Sequence, residues 1–295
     1  MMGRSALLIV ALLVLVPPYM LSVGPARRLR LAQQFFFCRL MLWLTGLRVR
    51  TSGRRCSQGA VLYASNHVSY LDIPVLSLLL DASFIAKAEV KSWPLIGFIG
   101  RLTGTVFIRR QAAGAKRQRD EIADRLARGD NLILFPEGTS TDGAGVAPFR
   151  SSLFGVIDRP GTVDGTETID GTEAGSVPLL IQPVSLTYTR CADGTPLEGP
   201  ARALYAWFGN ASLLPHFKRV LGMRGAEVVV SFHEPLQAAA YTDRKYVTQL
   251  VREAVIAGVA AAQAEAGISD GISARPELSA VLSAALPAVS AEERR

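Results

Sequence analysis

An α/β fold, with a mixed, largely parallel sheet flanked by helices and preceded by N-terminal membrane-anchoring helices, is what this sequence predicts. Two patterns carry that expectation. From residue 60 onward, short apolar strand-like runs alternate with helical segments, as in a sheet whose strands are joined by helical crossovers. Ahead of them, residues 1–60 hold nine arginines, no lysine and no acidic residue, interleaved with long apolar runs. With a formal net charge of +7 over 295 residues, the rest of the chain is slightly acidic. A basic, apolar N-terminus on a near-neutral body points to a membrane surface rather than nucleic acid. Zinc-finger, RNP and basic-zipper patterns do not occur, so no nucleic-acid partner is expected.

Residues 6–23 are almost wholly apolar, interrupted by Pro17 and Pro18. A secretory signal peptide would need a small-x-small cleavage site, and none follows. Arg27, Arg28 and Arg30 come next, as positive-inside residues of an uncleaved anchor do. The prolines leave a spanning helix and a re-entrant one both open. Residues 31–47 carry Phe35, Phe36, Phe37 and Trp43 and read as an interfacial or re-entrant helix with aromatic anchors. Cys38, Cys56 and Cys191 are scattered, which indicates neither a disulfide framework nor a metal site. That suits a reducing cytoplasm, and with the arginines held inside, the body is expected on the cytoplasmic side of a cell inner membrane.

The body follows in order. Strands are expected at 60–64, 84–87, 104–108, 131–135, 179–188 and 226–232, and helices at 70–80, 115–127 and 242–263. Residues 158–176, with Asp-Gly-Thr-Glu at 164–167 and again at 170–173, match no calcium loop and read as a mobile insertion. The division is an N-terminal membrane anchor over 1–50, the main α/β domain over 51–265 and a flexible tail over 266–295.

Chemistry concentrates after the first strand, in Ser65-Asn66-His67-Val68-Ser69-Tyr70-Leu71-Asp72. A histidine with a carboxylate five residues on can form a base and its orienter. The same run fits a helix capping box, Ser69-x-x-Asp72, in which Asp72 is only an N-terminal charge. Without a Gly-x-Ser-x-Gly elbow, a serine nucleophile at Ser65 or Ser69 is the weaker option. Further on, 104–110 puts Arg109 and Arg110 at a strand end. Residues 135–140, Phe-Pro-Glu-Gly-Thr-Ser, run from a strand into a tight turn where glycine permits close backbone approach. Ile181-Gln182-Pro183-Val184 puts a proline at the start of an apolar strand, an edge or bulge signal.

Together, Asn-His-x-Ser-x-x-Asp, Gly-x-x-Phe-Ile-x-Arg, Phe-Pro-Glu-Gly-Thr and the later Pro-Val strand resemble the glycerolipid acyltransferase family, whose bacterial type member is the 1-acylglycerol-3-phosphate acyltransferase. The resemblance covers about residues 30–265. It implies an α/β acyltransferase domain at the membrane surface, with His67 as general base and Asp72 as its orienter. By the same resemblance Arg109 or Arg110 binds an acceptor phosphate, while Glu137, Gly138 and Thr139 shape the acceptor site. The donor is an acyl carrier protein or coenzyme A thioester, the acceptor a lysophospholipid, and no metal or cofactor is implied. One departure bears on the acceptor. Many glycerophosphate-type members have arginine where this chain has Ser140. Phe-Pro-Glu-Gly-Thr-Ser, the segment 205–209 and Leu214-Pro215-His216 also resemble a subgroup of lyso-ornithine lipid acyltransferases. Lysophosphatidate is the first expectation, lyso-ornithine lipid the second, and an inactive membrane-binding module the non-enzymatic alternative.

Overall fold

The structure, a computed structural model, describes residues 27–92, Gly97, Gly100, 104–108, 115–157 and 179–271. The apolar run 6–23, Arg109, Arg110, the insertion 158–176 and most of the tail lie outside the described residues. Helix α1 (Arg27–Thr45) leads into strand β1 (Arg48–Gly53), β2 (Ala60–Ser65), helix α2 (Asp72–Leu79) and β3 (Ser83–Lys87). Then come β4 (Val106–Ile108), α3 (Ala115–Ala127), β5 (Leu132–Leu134) and the long β6 (Leu179–Cys191). Helices α4 (Gly199–Arg202) and α5 (Leu213–Gly222), strands β7 (Ala226–Phe232) and β8 (Leu236–Gln237), and helix α6 (Arg244–Glu265) complete the chain.

The strands form one sheet in the order β1-β7-β6-β2-β5-β3-β4, with β8 paired to β6 beside β7. All contacts from β6 to β4 are parallel, and β7 runs antiparallel to β6. This is the mixed, largely parallel sheet that the alternating pattern predicts, and all six expected strands and three expected helices are present. Strand β1 was not foreseen: Arg-Val-Arg-Thr-Ser-Gly is polar because it lies at the sheet edge, where most of its side chains meet water. The sequence also left α4, α5 and β8 unassigned.

Side-chain alternation builds the two cores. Leu62, Leu132, Leu134 and Ile181 face helices α3 and α6, meeting Ile122, Leu126, Val247, Val251 and Val255. Val61, Tyr63, Ile133, Leu186 and Val228 face the other way, onto Leu42 of α1, Val75 and Leu76 of α2 and Val220 of α5. Strands β2 and β5 are therefore buried on both faces, which explains their unbroken apolar sequences. Pro183 lies inside β6, not at its start. Its carbonyl accepts from the His233 N–H at 3.0 Å, so its nitrogen faces the same side, between the β8 pairing at Leu180 and Ile181 and the β7 pairing from Val184 onward. No ladder bond is lost there.

Helix α1 packs on α2, with Leu42 in the core cluster that holds Val75 and Leu76, and leaves Phe35, Phe36 and Trp43 exposed at 49%, 55% and 64%. Gly46, at φ +70°, ends it and lies against Gly225, where an added Cβ would come within 2.0 Å of the Gly46 carbonyl oxygen. Two glycines are required for β1 to approach β7 so closely. Among the described residues, no helix is long and apolar enough to cross a membrane.

Candidate active site

Parallel neighbours β2 and β5 end side by side, and the loops beyond their C-terminal ends hold the chemistry, as open α/β sheets favour. Asn66 secures the first loop: its side-chain amide donates to the Leu186 carbonyl at 2.9 Å and its oxygen accepts from the Leu186 N–H at 2.8 Å. The loop is thereby fixed to β6, and His67 follows immediately.

The His67 Nδ1 lies 2.8 Å from Asp72 Oδ2. A bond to a carboxylate puts the ring proton on Nδ1 and leaves the lone pair on Nε2. Asp72 is fully buried, and its oxygens also accept from the Val68 N–H (2.7 Å), the Ser69 N–H (2.9 Å) and the Tyr188 hydroxyl (2.9 Å). Four donors compensate the buried charge and fix its direction. The geometry accommodates both readings of the run: Asp72 begins α2 and accepts from the loop amides while it is bonded to the imidazole. The serine half of a capping box is missing, since the buried Ser69 hydroxyl has no partner among the described residues. The Ser65 hydroxyl donates to the Asn66 carbonyl at 3.0 Å, so neither serine is bonded to the histidine. The imidazole stacks on Phe135, with centroids 4.0 Å apart and planes at 15°, and keeps 18% of its side-chain surface exposed.

Phe135 opens the second loop. Gly138 at φ +73° makes its turn, closed by the Gly138 N–H to the Phe135 carbonyl at 3.0 Å. Glu137 is buried within it. One carboxylate oxygen accepts from the His67 N–H at 2.7 Å and the other from the Ala147 N–H at 2.9 Å. Burial pushes its pKa up to about 7, against the lowering pull of those two amides. The Thr141 N–H donates to the His67 carbonyl at 2.9 Å, so His67 is held on both sides of its backbone by this loop. The Ser140 hydroxyl donates to the Trp207 carbonyl, and the Trp207 N–H to the Val68 carbonyl at 3.0 Å. The segment around Trp207 is thereby tied to both loops.

Of the expected site residues, His67 and Asp72 are in direct contact, and Glu137 is one bond from the His67 backbone. Gly138 forms the turn and Thr139 is exposed. Both oxygens of Glu137 are engaged by main-chain amides, which makes it a support for His67. Tyr188 and Asn66 were not singled out by the sequence reading. The only hint for Tyr188 is a hydroxyl in the middle of an apolar strand, while Asn66 opens the Asn-His-x-Ser-x-x-Asp motif without having been given a role. The arrangement supplies a proton acceptor of fixed tautomer with no nucleophilic side chain bonded to it among the described residues, suited to taking a proton from an incoming hydroxyl.

Comparison with known proteins agrees with this chemistry. The acyltransferase family profile matches residues 46–185, spanning both loops. The lyso-ornithine lipid O-acyltransferase of Brucella abortus is 39% identical over 221 residues, 75% of this chain and 79% of that one. The 1-acyl-sn-glycerol-3-phosphate acyltransferase of Neisseria gonorrhoeae is 44% identical, over 100 residues, 32% of this chain and 37% of that one. The crystal structure of the 1-acyl-sn-glycerophosphate acyltransferase of Thermotoga maritima has the same fold, with a TM-score of 0.57 at 23% identity over 85% of this chain and 88% of that one. A relative matched along most of both chains and a profile centred on the paired loops give one answer: this chain belongs to the acyltransferase family.

Proposed function

We propose that the protein transfers a fatty acyl group from a thioester to the free hydroxyl of a lysolipid in membrane lipid synthesis, with His67 as general base. The observation that carries this reading is the His67 Nδ1–Asp72 contact at 2.8 Å in a loop without a bound nucleophile. Nε2 takes the proton of the acceptor hydroxyl as its oxygen attacks the thioester carbonyl carbon. The tetrahedral intermediate collapses, the carbon–sulfur bond breaks, and the thiolate recovers the proton from the imidazolium, leaving an ester and a free thiol. Buried Asp72 stabilises the imidazolium between the two steps.

For the acceptor, lyso-ornithine lipid is the reading we favour. Its support is the match to the Brucella abortus enzyme over 75% of this chain and 79% of that one, and Ser140, whose hydroxyl is spent on Trp207 where many glycerophosphate-type members carry arginine. Lysophosphatidate is the second reading, supported by Arg109 and Arg110 in sequence and by the shorter match to the Neisseria gonorrhoeae enzyme. The donor is an acyl carrier protein or coenzyme A thioester. Ile73, Phe208 and Leu214 are exposed apolar residues. Each lies within two positions of a residue of the His67 network, namely Asp72, Trp207 and His216, the last bonded to the Tyr70 hydroxyl at 3.1 Å. Apolar surface at that place suits an acyl chain entering from a bilayer.

The same reading makes residues 1–50 the anchor, the aromatic side of α1 its interfacial part, and the cytoplasmic leaflet of the inner membrane its location. Residues 51–265 then form the catalytic domain. An acyl-transfer assay on membranes containing the protein, offered lyso-ornithine lipid and lysophosphatidate separately, tests the proposal. Product from lyso-ornithine lipid alone supports the first reading, product from lysophosphatidate alone the second, and product from neither refutes acyl transfer to lysolipids of these classes.

A further inference from the structure

Arg252 lies two turns into α6, on the opposite side of the sheet from α2. Its Nη2 donates to the Val146 carbonyl at 2.7 Å and its Nε to the Ala147 carbonyl at 3.1 Å. A trans peptide points its C=O and N–H in opposite directions. The unit joining Val146 to Ala147 therefore has the guanidinium on its oxygen side and Glu137 on its amide side, where the Ala147 N–H meets the carboxylate at 2.9 Å. The other Glu137 oxygen holds the His67 N–H at 2.7 Å. Four groups form one unbroken path, from guanidinium to peptide to carboxylate to the backbone of the histidine.

We infer that Arg252 is a positioning residue for His67, acting through the Val146–Ala147 peptide and Glu137. The inference rests on the reading of His67 as the base. Each bond in the path orients the next, and a charged donor at its head polarises the peptide toward the carboxylate. Arg252 also acts at a distance. Its positive charge favours the ionised form of Glu137, against burial and the negative charge of Asp72. Arg150 faces the same turn, with its Nε 3.4 Å from the Glu137 carbonyl oxygen. Ionised Glu137 is the stronger acceptor for both amides. A proton on either oxygen adds a donor there and weakens that oxygen's hold on the loop or on the His67 backbone.

A second tether separates positioning from simple attachment. Gln263, three turns along α6, donates to the Gly143 and Ala144 carbonyls at 3.4 and 3.3 Å. It holds the same loop but is not on the path to Glu137. The test compares Arg252→Met, Arg252→Lys, Gln263→Leu, Glu137→Gln and the Arg252→Met/Glu137→Gln double variant in the full-length, membrane-bound protein. Arg252→Met is expected to lower kcat ten- to a hundredfold, on the order of what a small misplacement of a catalytic group costs, with the acceptor KM nearly unchanged. The acid limb of its pH–rate profile should move to higher pH, and Arg252→Lys should restore part of the rate. In the Glu137→Gln background, Arg252→Met should add little further loss. Amide exchange in peptides spanning 65–72 should accelerate in Arg252→Met but not in Gln263→Leu. Equal behaviour of Arg252→Met and Gln263→Leu, with lower melting temperatures but normal kcat, normal pH profile and unchanged exchange at 65–72, would overturn the inference. Exchange does not depend on turnover, so it decides the coupling even if no lysolipid is acylated, a result that would instead remove the role of His67 as base.

Discussion

At the scale of single residues, the buried carboxylate of Asp72 decides whether the site is set up. It is satisfied by four donors, one of which, the Tyr188 hydroxyl, arrives from a strand 116 residues away. Tyr188→Phe leaves the packing and removes one bond to a buried charge, which is worth roughly 1.5–3 kcal/mol. We expect a melting temperature lowered accordingly and a reduced kcat, because the remaining donors hold Asp72 less firmly; unchanged stability would show that this bond carries no net energy. Glu137 makes a pH prediction. Its pKa is raised in the folded protein from 4.5 to about 7. A raised value means that folding favours the protonated form, so the stability this group contributes is present below pH 4.5 and is lost as pH rises through about 7. Thermal denaturation followed from pH 4.5 to 8 should show a fall in stability over that window, and Glu137→Gln should flatten it. Turnover is expected to show the opposite dependence, since the ionised form is the stronger acceptor for both amides. Asp72 and His67 were legible in the sequence because they are five residues apart on one turn. Tyr188 and Arg252 were not, because only the β2–β6 neighbourhood and the return of α6 over the sheet bring them to the site.

At the scale of elements, strands buried on both faces were plain from their apolar runs, and the helices from their spacing. Three of the misses are polar or very short. Strand β1 has an edge strand's polar sequence, β8 is two residues long, and α4 has four residues, too few for a helical period to register. The turn at Gly138 is where element geometry and chemistry meet. Gly138→Ala places a Cβ at φ +73°, at a cost of roughly 1–2 kcal/mol for an L-residue in that region. The turn carries Glu137, so kcat should fall together with stability; full activity in a less stable variant would separate the turn from the site. Helix α1 makes a different prediction. Replacing Phe35, Phe36 and Trp43 together by serine should shift the protein from salt-resistant to salt-extractable membrane association. Each such aromatic contributes roughly 1.5–3 kcal/mol when fully withdrawn from water. Retention of the triple variant in membranes after high-salt washing would assign the anchoring to residues 1–26 alone.

At the scale of the whole molecule, one sheet separates two helical layers and places two loops at the ends of adjacent parallel strands, one carrying His67 and Asp72 and the other Glu137, which holds the His67 backbone. The acceptor follows from smaller differences than the fold does. Ser140→Arg would displace the bond to the Trp207 carbonyl and add a guanidinium to the second loop. We expect the ratio of lysophosphatidate to lyso-ornithine lipid acylation to rise, measured as kcat/KM for each; an unchanged ratio would remove Ser140 from acceptor selection. The most direct measurement of the central claim is turnover of His67→Ala in a protein shown by its melting temperature to be folded. Loss of general-base catalysis predicts a fall on the order of 10²-fold or more, with the membrane association unchanged. Near-normal turnover in that folded variant would contradict the account.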